Sequence, residues 1–196
     1  MIQNIMGANN LLPNKNTEFS FYKAPIQNVF PERNIDLTTV HKFITSEYEE
    51  ETIKLRGFTD ISQRKLFKNS QLDYVTFNGT FSKRKDNCLI LLSYLFVIDI
   101  DHIKSKILTQ VYEKLKNDKI LLPQLIFISP SGNGLKVVVR IDCSIIDINS
   151  KSKMMDPIWE AINSYFSTEY STLLEANEKG HYIDEAGKDV SRACFL

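Results

Sequence analysis

From Leu91 onward, apolar runs and amphipathic stretches follow one another in a regular order. "LLSYLFVIDI" is an unbroken apolar run of strand length, as expected for a strand covered on both faces. "IKSKILTQVYEKLKND" places Ile103, Ile107, Val111 and Leu115 four residues apart along one face, which predicts an amphipathic helix. "PQLIFISP" predicts a second strand, "SGNG" a turn and "LKVVVRID" a third strand. "DPIWEAINSYFSTEYSTLL" predicts a second helix with Ile158, Ile162 and Tyr165 inward, and "YIDEAGKDVSRACFL" a fourth strand. Strand, helix, strand, strand, helix, strand is the split βαβ, ferredoxin-like order also found in RNA-recognition modules.

The first half is less regular. Residues 1–18 are Asn-rich without periodicity and predict a flexible arm. "EFSFYKAPIQNVFP" alternates before Pro25, as a short strand does. "DLTTVHKFITSEYEEETIKLRG" opens on a capping aspartate, Asp36. Val40, Phe43, Ile44 and Tyr48 follow at helical spacing, so a helix is expected. "QLDYVTFNGTFSKRKD" alternates around Tyr74, Val75 and Phe77 and ends in a basic patch, Lys83, Arg84 and Lys85. The predicted organisation is α+β. An N-terminal α/β unit spans residues 19–87 and an RRM-like βαββαβ unit spans residues 88–196.

With 43% hydrophobic and 24% charged residues the composition is that of a globular chain. The net charge of +0 argues against a strongly basic nucleic-acid wrapper but leaves room for a local basic cleft. Cys88, Cys143 and Cys194 stand far apart, so no zinc motif or disulfide framework is indicated, and a reducing cytoplasm fits. No basic start followed by an apolar segment opens the chain, so no leader is expected. The longest apolar run is about half of the ~20 residues a membrane helix needs, so no membrane partner is expected.

Candidate chemistry centres on "FVIDIDHI". Strand alternation puts Asp99 and Asp101 on one face, where their charges repel by roughly 1 kcal/mol in water and more where partly buried. A divalent cation removes that cost, and hard oxygen donors suit magnesium or manganese. In the predicted sheet the first strand is central and antiparallel to the third and fourth. Its C-terminal end should therefore meet Lys136, Asp184, Asp189 and Arg192. Asp184 is the chosen third carboxylate and Asp189 the reserve. Each aspartate has a plainer alternative as a turn or helix cap.

"SPSGNGLK" is open to two readings. Asn133-Gly134 is a favoured type I′ hairpin pair. The same segment also offers Ser129, Ser131, Gly132 and unhindered backbone donors to a phosphate, with Lys136 following. No Walker spacing occurs, so a P-loop is not supported. Arg192 in an apolar strand needs a carboxylate or phosphate partner. His41, His102 and His181 are not spaced as a metal set, and the 83–85 patch is either a solvated loop or a contact for nucleic acid.

Taken together, "YVTFNGTFSKRKD", "FVIDIDHI", "FISPSGNGLKVVVRID" and "IDEAGKDVSRACFL" resemble the VirE-type N-terminal domains of mobile-element and phage primase-helicases. Those belong to the archaeo-eukaryotic primase and primase-polymerase superfamily. The resemblance runs from Phe19 to Leu196. It implies a DNA primase or polymerase fold with a catalytic RRM-like sheet. It also implies template-directed nucleotidyl transfer on single-stranded DNA from nucleoside triphosphates with two Mg2+ or Mn2+ ions, in DNA replication of a mobile element or phage. The implied metal ligands are Asp99, Asp101 and Asp184. The implied nucleotide contacts are Ser131, Gly132, Lys136 and Arg192; the rest of the turn, Ser129, Asn133 and Gly134, is expected to add donors to the phosphates, and Lys83, Arg84 and Lys85 are the candidate contact for the template.

Two departures stand out. Lys136 occupies the family's usual histidine position, which keeps a positive donor but removes a group titrating near neutrality. The chain also ends inside the last motif, as an excised domain or a truncated gene product would, and the resemblance implies a helicase domain or helicase partner. Two alternatives remain open. One is an inactive primase-like module that binds single-stranded nucleic acid or a replication partner. The other is a D-x-D glycosyltransferase.

Overall fold

The computed structural model describes residues 17–142 and 153–196. The expected arm falls outside the described residues except for Thr17 and Glu18, and so does Cys143. The fold is α+β with antiparallel sheets. Strands β1 (Phe19–Tyr22), β2 (Arg33–Ile35), β3 (Tyr74–Thr76) and β9 (Cys194–Phe195) form a sheet of order β2-β1-β3-β9. Strands β6 (Leu95–Ile100), β7 (Leu125–Ile128) and β8 (Leu135–Arg140) form a second sheet of order β6-β8-β7. A hairpin of β4 (Gly79–Phe81) and β5 (Leu89–Leu92) makes a third, two-stranded sheet.

The apolar character of β6 and β8 follows from what covers them. Phe96, Ile98, Val137 and Val139 pack with helices α4 (Ser105–Lys116) and α5 (Asp156–Glu169) through Val111, Leu115, Ile158, Trp159, Ile162 and Phe166. The alternate residues Leu95, Val97, Val138 and Phe127 pack with Phe19, Phe21, Val75 and Cys194 of the N-terminal sheet and with Phe77 just after β3. The β6–β8 sheet is thus the middle layer, and its polar positions fall only where the strands run out.

Several elements match the pattern of the sequence. Asp36 caps α1 (Leu37–Lys42), accepting from the Thr39 N–H at 2.8 Å. The expected single helix, however, passes through a π-helical turn at Phe43–Glu47 and restarts as α2 (Glu49–Gly57). Tyr48 at the restart gives its hydroxyl to Asp73 at 2.6 Å. A further helix, α3 (Ile61–Gln71), was not anticipated: it has no fully buried residue, so no apolar stripe announces it. The run from Leu91 is broken at Tyr94, whose φ of 59° is left-handed, so its first part joins the β4–β5 hairpin.

The predicted fourth strand is the main correction. Residues 182–189 run beside β6 but share with it one backbone bond, Asp184 N–H to the Asp99 carbonyl at 2.9 Å. They then turn as a 3₁₀ segment, Glu185–Lys188, because Asp184 accepts from the Ala186 N–H and caps it. Gly187 fits there against Trp159, where a Cβ would come within 3.2 Å of the indole. The only strand after that is β9, which pairs with β3 rather than β6. Arg192 accordingly sits in a connecting segment, not in a strand.

The layering has a direct test. Phe166→Ala empties a site between α5 and the sheet that is 0% exposed, and should destabilise the fold by about 3–5 kcal/mol. Ile90→Ser, on a residue 69% exposed, should change stability by under about 0.5 kcal/mol. Urea unfolding midpoints check both, and equal losses would contradict the layer assignment.

Candidate metal and nucleotide site

The antiparallel register sets Asp99 opposite Lys136 at the end of β6. Lys136 donates to Asp99 Oδ2 at 2.5 Å, with both side chains largely buried. Asp101 follows just past the strand end, and the Asp184–Asp99 backbone bond brings Asp184 alongside. One ligand-capable oxygen from each of Asp99, Asp101 and Asp184 lies within 4.8 Å of the others. Arg192 donates to Asp184 Oδ2 at 2.8 Å. Trp159 fixes the same residue from below, its indole N–H donating to the Asp184 carbonyl at 2.8 Å. Five residues singled out from the sequence therefore meet at one sheet end.

The glycine-containing connection closes one side. A Cβ on Gly134 would lie 2.6 Å from the Ile100 carbonyl oxygen, so only glycine allows this approach to the aspartate strand. The Ile103 N–H donates to the Asn133 carbonyl at 2.9 Å and ties the two loops together. The left-handed residue of the turn is Gly132, with φ 83°, and the Gly132 N–H closes it on the Ser129 carbonyl at 2.8 Å. The type I′ pair at Asn133-Gly134 does not form, since neither residue has a positive φ. Ser131, Gly132 and Asn133 reach solvent, and Ser129 lies beneath them with its hydroxyl buried and unpartnered.

Other candidates lie elsewhere. Asp189 accepts from Ser191, whose hydroxyl also reaches Asp86, and it is not one of the three clustered carboxylates. Arg84 donates to the Ile26 carbonyl at 3.2 Å and packs over Tyr74, so it serves the N-terminal unit. Lys83 lies over Phe30, and Lys85 is exposed. His41 is exposed, and His102 is exposed with a left-handed backbone. His181 stacks edge-on against Trp159 and lines a cavity of about 560 Å³ that also borders Asp101 and Asp184.

Two residues of the N-terminal unit join the site without having been anticipated. Arg56, on α2, donates to the Pro130 carbonyl at 3.2 Å and braces the glycine turn. Lys68, on α3, lies over the Phe195 ring, 4.9 Å from its centroid, within the field of Lys136, Asp99, Asp101 and Arg192. No pattern in the sequence announced either one: Arg56 is one of two cations on a helix that opens with three glutamates, and Lys68 sits on a helix that buries no residue fully.

The charges are unevenly satisfied. Burial opposes the Lys136 ammonium, but negative charge around it, from Cys194 once ionised and from the Asp99 and Asp101 carboxylates, outweighs burial, and its pKa is raised. The Cys194 thiol is itself pushed up to about 11 by burial, which keeps it neutral near pH 7. Asp101 reaches the surface, yet crowding by protein atoms and then the Asp99 charge push its pKa up, with Asp184 adding to the push. Asp99 Oδ1 is buried with no hydrogen-bond partner. A cluster of hard oxygens, one an orphan and one short of compensating charge, fits a magnesium or manganese ion.

Residues 67–196, more than half of the chain, match the family described as "BT4734-like, N-terminal domain", and the chain belongs to that family. No curated protein and no solved structure matches it. Among the described residues no helix is long and apolar enough to cross a membrane.

A carboxylate with a raised pKa weakens the fold once ionised. For Asp101 the penalty is complete above its folded pKa and vanishes below the ordinary carboxylate value. Asp101→Asn should therefore raise the melting temperature of chelator-treated protein at pH 7, with the gain fading as the pH falls below about 4. Thermal melts across pH check this, and a lowered melting temperature at pH 7 would contradict the charge assignment.

Proposed function

We propose that this chain is a nucleotidyltransferase domain of the primase-polymerase type, acting on a single-stranded DNA template. The observation that carries the proposal is the meeting of Asp99, Asp101 and Asp184 at one strand end, beside Lys136 and Arg192. In this reading the three carboxylates would hold magnesium or manganese, which when bound supplies charge neutralisation for a triphosphate and acidifies an attacking hydroxyl. Lys136 fixes the rotamer of Asp99 through Oδ2, leaving Oδ1 for that ligand. Arg192 holds Asp184 through Oδ2, while Asp184 Oδ1 caps the 3₁₀ turn by accepting from the Ala186 N–H, so both of its oxygens are oriented before an ion arrives. The Ser131 and Asn133 backbone, which reaches solvent, lies in the adjoining turn, where its donors can orient phosphate oxygens. A 3′-hydroxyl oxygen would then bond to the α-phosphorus as the bond to the departing pyrophosphate breaks. Ordering both partners on one rigid sheet end provides most of the advantage in such a reaction. A helicase domain or partner fits this role.

One observation favours a second reading. Lys136 and Arg192 already neutralise two of the three carboxylates, so the sheet end holds together without an ion. A domain that had lost catalysis would keep this pairing and bind single-stranded nucleic acid without regard to metal.

Primer extension with manganese separates the two. The wild-type domain should extend a primed template, and Asp101→Asn, which should fold at least as well, should extend nothing detectable. Extension by Asp101→Asn at the wild-type rate would contradict a catalytic site here. Tight DNA binding without metal-dependent synthesis by the wild type would establish the second reading.

A further inference from the structure

α3 alone among the described α-helices buries no residue fully. Ile53 on α2 and Ile61 and Leu66 on α3 are 63%, 81% and 70% exposed. Charge is sorted along this helical hairpin. The acids of α2, Glu49, Glu50 and Glu51, crowd its first turn. Residues 52–71 then carry five cations, Lys54, Arg56, Arg64, Lys65 and Lys68, against one acid, Asp60, in a chain whose net charge is +0. Asp60 is taken up as the cap of α3, accepting from the Gln63 N–H at 2.7 Å. None of the five cations makes an ion pair with a described residue. We infer that the α2–α3 hairpin is an interaction surface for single-stranded nucleic acid, with Lys54 and Lys65 as phosphate contacts and Ile53, Ile61 and Leu66 as apolar contacts for unpaired bases. This rests on the reading proposed above and names where the strand lies against the domain, on helices whose residues 49–66 fall outside the span that matches the family.

The hairpin is fastened to the candidate site at one end. Arg56 donates to the Pro130 carbonyl at 3.2 Å and to the Ser129 carbonyl at 3.4 Å, and its Nε lies 3.3 Å from where a Cβ on Gly132 would sit. Gly134 of the same turn closes against Ile100, next to Asp101. A strand lying along the hairpin therefore reaches the carboxylates across a single connecting turn. Three of the five cations already have partners in the fold: Arg56 in that turn, Arg64 on the Phe58 carbonyl at 2.6 Å, and Lys68 over the Phe195 ring. Lys54 and Lys65 are exposed and make no hydrogen bond with a described residue, so they remain for a ligand.

The chemistry of the surface selects the partner. Unpaired cations attract a polyanion. The isoleucines and leucine among them call for apolar area as well, which unstacked bases present and a duplex hides. An anionic bilayer offers both features, but the three glutamates that border the patch would be pressed into its surface, whereas a strand can pass beside them. With 11 residues, α3 is also short of the ~12–15 at which a helix holds by itself, so a bound strand should protect it.

Fluorescence anisotropy with a labelled single-stranded DNA oligonucleotide in chelator, where no synthesis occurs, tests the surface. Lys54→Gln combined with Lys65→Gln should weaken binding by ~10-fold or more, and the slope of log affinity against log salt should shrink by about 1.4, at about 0.7 per phosphate contact. Lys116→Gln combined with Lys119→Gln makes the same charge change on exposed lysines at and beyond the end of α4, and should bind like wild type. Amide exchange across residues 61–71 should slow when the strand binds wild type. Equal affinity in wild type and the Lys54/Lys65 variant would overturn the surface and leave the metal site standing. An equal loss in the Lys116/Lys119 variant would also overturn it, because net charge alone would then account for binding. Binding of the wild type to phosphatidylserine vesicles and not to the strand would make the hairpin a membrane contact and overturn the inference. Strand binding that responds to Lys54 and Lys65 without any primer extension would sustain the surface and remove catalysis from the reading above. A wild type with no affinity for the strand would overturn both.

Discussion

The Lys136–Asp99 ion pair, set by the cross-strand register of β8 and β6, is the constraint on which the rest of the site depends. Both strands are covered on both faces, so a lone charge at either position would face a desolvation penalty of several kcal/mol. Pairing them lets a strand with an apolar interior end in a fixed carboxylate. Because β6 and β8 cannot slip by one residue without turning their apolar side chains to the wrong layers, the pair also locks the register. Asp99 then serves as a fixed point. Its carbonyl receives the Asp184 N–H, its side chain faces Asp101, and Gly134 closes against the adjacent Ile100 carbonyl.

What surrounds that fixed point is a site under electrostatic tension. Two acid–base pairs are complete, one carboxylate carries a raised pKa, and one lysine from another layer carries a lowered one. Asp101 is exposed, and Lys68 is half-buried over the Phe195 ring. Functional sites are where such unfavourable shifts tend to gather. The N-terminal unit therefore does more than cover the sheet: Arg56 braces the glycine turn.

The sequence made half of this visible. β6, α4, β7, β8 and α5 were legible because each buries a continuous run or a stripe against one well-defined layer. Asp99, Asp101, Lys136, Asp184 and Arg192 were legible because charge stands out at the ends of such elements. The end of the chain misled. "YIDEAGKDVSRACFL" has the alternation of a strand, but Asp184 caps a 3₁₀ turn and the two residues that do form a strand pair with β3. Strand propensity does not say which partner a strand finds. α3 was invisible because it buries no residue fully, and Lys68 with it, since its importance comes from a tertiary neighbour more than a hundred residues away, Phe195.

The central claim is that Asp99, Asp101 and Asp184 together bind a divalent ion. Anomalous scattering at the manganese edge, from crystals of the wild-type domain grown with manganese, addresses it most directly. The account requires an anomalous peak in contact with oxygens of all three aspartates, with the Lys136–Asp99 pair still in place. Crystals with manganese bound elsewhere and none between these carboxylates would contradict it.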